Sequence, residues 1–163
     1  MEPSVFVTTY HVGNTKGFAI GRWFDLEDYA DKEDFLQDAE TFCKETLEDP
    51  DPEICFSDHD GNIPGVYISE SRIHSDLWEW LELSDDDRKK VNAYYKALGF
   101  TNPVDVNTAL EAFIGEGTAI KMAKELADIN GYLDDLPTVI KNNLNWQGIA
   151  DELLQDYTNH KDY

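Results

Sequence analysis

Asp31-Lys32-Glu33-Asp34-Phe35-Leu36-Gln37-Asp38-Ala39-Glu40-Thr41-Phe42-Cys43-Lys44-Glu45-Thr46-Leu47 is the stretch on which the fold class of this chain turns. Runs this acidic usually read as disordered tails or linkers. Here Phe35, Ala39, Phe42, Cys43 and Leu47 recur at steps of four, three, one and four. That spacing puts them on one stripe of a helix and leaves the acids to the remaining surface. The stretch therefore predicts a folded amphipathic helix with an acidic outer face.

On its N-terminal side, Ser4 to Tyr10 and Phe18 to Phe24 are short and rich in β-branched and aromatic residues. The loop between them, His11 to Gly17, carries two glycines, so the pair reads as an antiparallel hairpin. A third strand is expected over Glu53 to Ser57, with Asp58 to Gly65 as the turn that closes the unit. From Ser71 the pattern becomes helical, with Ile73, Leu77, Trp80 and Leu81 on one face. Ser84 and Asp87 form a capping box for a helix that buries Val91, Tyr94, Tyr95 and Leu98 and stops at Gly99. Beyond Asn102-Pro103 the sequence predicts helices over Asp105 to Phe113, Thr118 to Asn130, from Pro137, and over Trp146 to Tyr157. The expected architecture is α+β and elongated: a small antiparallel sheet plus helix in residues 1–66, an acidic helical part in 67–103 and a helical part in 104–163.

Charge narrows the function. The chain has 34 Asp+Glu against 13 Lys+Arg, a net charge of −21, so it lacks the basic footprint that direct nucleic-acid binding needs. Hydrophobic residues at 41% exclude the disordered acidic class. The excess is localised: residues 1–24 sum to +1, residues 25–87 to −19 and residues 88–163 to −3. Crowding on that scale predicts raised carboxyl pKa values and stabilisation by salt. No run of 18 apolar residues and no basic-then-apolar leader occurs, which predicts a cytoplasmic protein without a membrane span. Cys43 and Cys55 are expected as reduced thiols.

Catalytic and metal signatures are missing. Asp58-His59-Asp60-Gly61 resembles a calcium loop only in part, because aligning Gly61 leaves Phe56 and Tyr67 at the first and last ligand positions. Gly115-Glu116-Gly117 opens like a dinucleotide fingerprint, but Ile120 replaces the third glycine and no strand precedes it. There is no P-loop and no Gly-x-Ser-x-Gly elbow. His11, His74 and His160 have no ligand spacing. Trp78, Trp80, Tyr94, Tyr95 and Trp146 sit among acids rather than bases, which suits core packing better than base stacking. No enzyme activity, cofactor or metal is expected.

An ordered acidic face can stand in for phosphates. B-form DNA carries one charge per roughly 1.7 Å, so the 22 carboxylates of residues 25–87 match about eleven base pairs. The candidate face comprises Asp25, Glu27, Asp28, Asp31, Glu33, Asp34, Asp38, Glu40, Glu45, Glu48, Asp49, Asp51, Asp58, Asp60, Glu70, Asp76, Glu79, Glu82, Asp85, Asp86 and Asp87.

Several blocks carry a family resemblance: Val5-Phe6-Val7-Thr8-Thr9-Tyr10, Asn14-Thr15-Lys16-Gly17, and Gly21-Arg22-Trp23-Phe24-Asp25-Leu26-Glu27-Asp28. With Glu53-Ile54-Cys55-Phe56-Ser57-Asp58, Leu136-Pro137 and Asn145-Trp146-Gln147-Gly148-Ile149-Ala150, they resemble the ArdA antirestriction proteins. The resemblance implies a three-part DNA mimic that dimerises through its C-terminal part and protects plasmids, transposons or phage. The implied target is the DNA-binding core of Type I restriction-modification enzymes, formed by specificity and methyltransferase subunits. The segment matching the family's antirestriction motif, Ala112 to Ala123, carries Ala119 and Lys121 where the family is more acidic. Phe113, Ile114, Ile120 and Met122 are the candidate homodimer contacts. Two readings stand side by side. One is inhibition by DNA mimicry, of a Type I enzyme or of another DNA-binding defence complex such as a CRISPR effector. The other is an acidic adaptor for a basic protein.

Overall fold

The computed structural model describes residues 2–99 and 102–158. Its first half is a three-stranded antiparallel sheet of order β2-β1-β3, formed by β1 (Ser4–Thr9), β2 (Arg22–Asp25) and β3 (Ile54–Asp60). Val5 pairs with Phe24 and Val7 with Arg22, so the antiparallel pairing follows the expectation. The connection does not. Tyr10–Lys16 forms a helix, α1, in place of the expected loop. Thr9 caps it, its hydroxyl accepting from Val12 N at 3.1 Å. Gly13 is needed for packing rather than for a turn, since a Cβ there would overlap the Phe18 ring. β3 runs on through Asp58-His59-Asp60, with a register shift opposite Phe6 and Val7. The reversal falls at Gly61 (φ 84°) and Asn62 (φ 57°), later than the sequence predicts.

The acidic helix forms as α2 (Lys32–Glu45). Asp31 accepts from Asp34 N at 2.9 Å, closing its first turn. Phe35, Ala39, Phe42 and Cys43 are buried. Phe35 lies edge-on to Phe24 at 5.8 Å between centroids and within 6.1 Å of both Phe56 and Trp78, so one ring ties the helix to β2, β3 and the following segment.

Ile68–Ser69 (β4) and Arg72–Ile73 (β5) form a second, two-stranded sheet. This corrects the helical reading of Ile73, which pairs with Ile68 across a hairpin too short to show any periodicity. Helices α3 (Asp76–Leu81) and α4 (Asp85–Leu98) follow. Ser84 accepts from Asp87 N at 3.2 Å, and Gly99 ends α4 at φ 64°, as the sequence requires. Leu98 is 48% exposed, contrary to expectation, because it faces an open groove at the helix end. The chain continues through α5 (Val106–Glu111), α6 (Ala119–Ile129), α7 (Thr138–Lys141) and α8 (Trp146–Leu153), the last shorter than its apolar pattern suggests. α6 packs on α8.

A continuous buried cluster runs from Val5 to Ala109, so the packing crosses both 66/67 and 103/104. Tyr95 fastens the second crossing: its hydroxyl accepts from Val104 N at 2.9 Å and donates to Val104 O at 3.1 Å. That leaves Tyr67 as the donor to Tyr95 across 3.3 Å. Cys43 and Cys55 are free, buried thiols.

Phe35→Ala should cost about 3–5 kcal/mol in urea unfolding; a loss under about 1 kcal/mol would mean α2 is not anchored by this ring. Burial, reinforced by Asp49, pushes the Cys43 thiol from 9.0 up to about 11. A pKa raised on folding contributes stability below the unfolded value that disappears as pH climbs through the folded one. The melting temperature should therefore fall between about pH 9 and 11, and less so in Cys43→Ala, as followed by circular dichroism.

Candidate functional site

Acids near the two ends of the central segment, around Leu26–Asp28 and at α3 and the start of α4, are joined by tertiary contacts. Trp78 on α3 donates from its indole to Tyr29 O at 3.1 Å. Arg88 on α4 donates to Glu27 Oε1 at 2.8 Å, 61 positions away. The acidic region around the 3-10 turn Leu26–Asp28 is thereby fixed against the acidic start of α4.

Of the carboxylates read from the sequence, Glu27, Asp28, Asp31, Glu33, Asp34, Asp38, Glu40, Glu45, Glu48, Asp51, Asp58, Asp60, Glu70, Glu79, Glu82, Asp85 and Asp86 are exposed, and Asp25, Asp76 and Asp87 are half-buried. Asp49 departs from the expected face. It is 6% exposed, and its Oδ2 has no partner among the described residues. The cause is local: Glu48 takes φ 58°, which turns the chain inward so that Asp49 N donates to Cys43 O at 3.2 Å. Glu53, exposed in the same loop, is not among the face acids named from the sequence.

Many of these acids also hold the backbone in place. Asp25 accepts from Glu27 N at 3.0 Å, Asp34 from Ala30 N at 3.3 Å and Asp60 from Gly61 N at 2.7 Å. Several are paired. Asp38 takes Arg22 at 3.1 Å and the Tyr29 hydroxyl at 2.7 Å, Glu40 takes Lys44, and Lys90 sits 2.7 Å from Asp86 and 2.9 Å from Asp87. Among the described residues, Asp28, Glu33, Glu45, Glu48, Asp51, Glu79, Glu82 and Asp85 show no ion pair, so their charge faces solvent uncompensated.

Burial, with the Asp38 hydrogen bond second, pushes the Tyr29 phenol up to about 12. The Asp87 carboxyl lies below its ordinary value, because Lys90 and then Ser84 donate to it. This is opposite to the raised values that crowding predicts: the Lys90 and Ser84 donors outweigh desolvation of the carboxyl.

Of the four expected dimer contacts, one is buried and three are half-buried. Met122 is 6% exposed, and Phe113, Ile114 and Ile120 are half-buried. Phe113, Ile114 and Met122 line the groove of about 660 Å³ beneath Leu98. The exposed large apolar side chains among the described residues of this part are instead Ile129 (81%), Val139 (69%), Tyr132, Tyr157 and Ile140. Ile129 follows Met122 by seven residues and shares its helix face, so periodicity alone would place it inside; burial along that face ends at Ala127.

Among the described residues no group of three His, Cys, Asp or Glu is arranged to hold a metal ion, and no helix is long and apolar enough to cross a membrane. His74 Nδ1 lies 3.2 Å from Asp76, while His160 lies outside the described residues. Trp78, Trp80 and Tyr95 are buried in the core, and Trp146 packs under Lys124.

A family model described as "Antirestriction protein (ArdA)" matches residues 5–161. The chain belongs to the ArdA family of antirestriction proteins. No curated protein and no solved structure matches it. Membership in ArdA implies interaction with restriction-modification enzymes generally, and the matched span contains every acid from Asp25 to Asp87.

Because Asp87 is depressed, it stabilises the fold above the ordinary aspartate pKa, and that contribution is lost as pH falls through its folded value. Ser84→Ala should lower stability by about 1 kcal/mol. It should also bring the Asp87 carboxyl back toward 3.8, the ordinary value, in an NMR titration; an unmoved resonance midpoint would contradict the hydrogen-bond cause.

Proposed function

We propose that the exposed acids between Asp25 and Asp87 imitate the phosphates of duplex DNA and occupy the DNA-binding groove of a Type I restriction-modification enzyme, between its specificity and methyltransferase subunits. The observation that supports this reading is the pair of contacts, Trp78 to Tyr29 and Arg88 to Glu27, that hold the acidic Leu26–Asp28 turn against the acidic helices α3 and α4. A disordered polyanion would have to lose chain entropy on binding; a face fixed by caps and a packed core has already lost it. With Asp49 turned inward, the remaining carboxylates match roughly ten base pairs of duplex charge. Inhibition of this kind needs no catalytic group and no cofactor, and it acts in the cytoplasm, where the target meets incoming DNA.

Self-association fits the milder charge of residues 104–163. The exposed set Ile129, Tyr132, Val139 and Ile140 is a better homodimer surface than the buried Met122.

Mimicry spreads binding over a summed field. Asp86→Asn should weaken displacement of labelled duplex from a Type I enzyme by under about twofold, whereas Glu79→Gln, Glu82→Gln and Asp85→Asn together should weaken it by about tenfold and flatten its salt dependence. Loss of cleavage while the duplex stays fully bound would overturn the proposal. In sedimentation at tens of micromolar, the protein should run as a dimer and the Ile129→Lys, Val139→Lys variant as a monomer, a partition set by roughly 6–7 kcal/mol of association energy.

A further inference from the structure

Arg88 is a cation placed where the two acidic stretches meet, the opposite of what a surface shaped only for negative potential would carry. Its side chain is 16% exposed. Besides Glu27, its guanidinium donates to Trp80 O at 3.3 Å and to Leu81 O, the carbonyls at the C-terminal end of α3. It also lies 5.1 Å from the Trp80 ring centroid. Trp80 O also accepts from Leu83 N at 3.2 Å, so Arg88 adds a second donor there; a planar fork of donors can hold two carbonyls of a last helical turn and a carboxylate together. One side chain thus joins the Leu26–Asp28 turn, the end of α3 and the start of α4. Its neighbours do nothing comparable: Lys90 pairs with Asp86 and Asp87 of its own helix, and Lys89 is exposed with no ion pair among the described residues. An exposed ion pair alone would contribute little; a half-buried cation bonded to three elements fixes their spacing.

We propose that Arg88 is a positioning residue for target binding: it sets the spacing between the acids of residues 25–34 and those that open α4, and the enzyme's phosphate-binding groove reads that spacing. The proposal rests on the DNA-mimic reading above. It separates two physical effects with opposite signs. Removing Arg88 makes the protein one unit more negative, which tightens binding if only the summed field matters and weakens it if the spacing matters.

The test is displacement of a fluorescent duplex, carrying the recognition sequence, from a purified Type I restriction-modification enzyme by the full-length protein. Arg88→Met should need about fivefold more protein, or worse, for half-displacement, with an undiminished salt dependence. Lys89→Met makes the same charge change without touching the contact and should displace as well as the parent or better. Arg88→Lys keeps the charge but not the fork and should fall between parent and Arg88→Met. If circular dichroism shows Arg88→Met unfolded at the assay temperature, the comparison passes to Glu27→Gln and Asp28→Asn, which remove one charge each from the same turn; Glu27→Gln should lose more. Arg88→Met behaving like Lys89→Met, or Glu27→Gln losing no more than Asp28→Asn, would overturn the positioning role and leave mimicry standing. A parent protein that never displaces the duplex would overturn mimicry, and the positioning role with it.

Discussion

Like charges confined to one stretch of chain push apart, and the aromatic packing around Phe35 is what keeps them on a folded surface. Residues 25–87 carry a net −19, while Phe24, Phe35, Phe42, Phe56 and Trp78 bury their rings directly beneath. Apolar burial does not depend on the sign of nearby charge and is not weakened by screening, so it can oppose a repulsion that ion pairs could only partly offset. The sheet, α2 and the start of α3 all converge on this cluster. Without it the acids would remain, but as a polyanionic coil with no fixed spacing.

The carboxylates then serve two purposes at once. Asp25, Asp31, Asp34 and Asp60 accept backbone N–H groups at turns and helix starts, which stabilises the local conformation and orients each charge. Those at helix N-termini also sit where the macrodipole favours them, so Asp85 and Asp86 are placed with the field rather than against it. Arg22, Arg88 and Lys90 each neutralise one or two acids that structure needs, and the unpaired remainder supplies the outward potential. All of these acids lie within the span that matches the ArdA antirestriction family.

What was legible in the sequence was whatever depends on neighbours within about one helical turn. The α2 stripe, the Ser84–Asp87 cap, Gly99 and the Thr118 start of α6 follow from spacing and capping chemistry, and they are found where the sequence puts them. Net charge and its concentration between Asp25 and Asp87 are likewise properties of composition. Tertiary structure decided the rest. It made His11–Lys16 helical, because Thr9 caps that turn and Phe18 covers Gly13. It withdrew Asp49 from the face through the backbone reversal at Glu48, and it left Ile129 uncovered where packing along α6 ends. The candidate site itself shows the same division: its residues could be named from a one-dimensional charge count. That Glu27 and the start of α4 form one surface could not, because their contact closes a loop of 61 residues through a single arginine, and no local preference encodes a pairing at that distance.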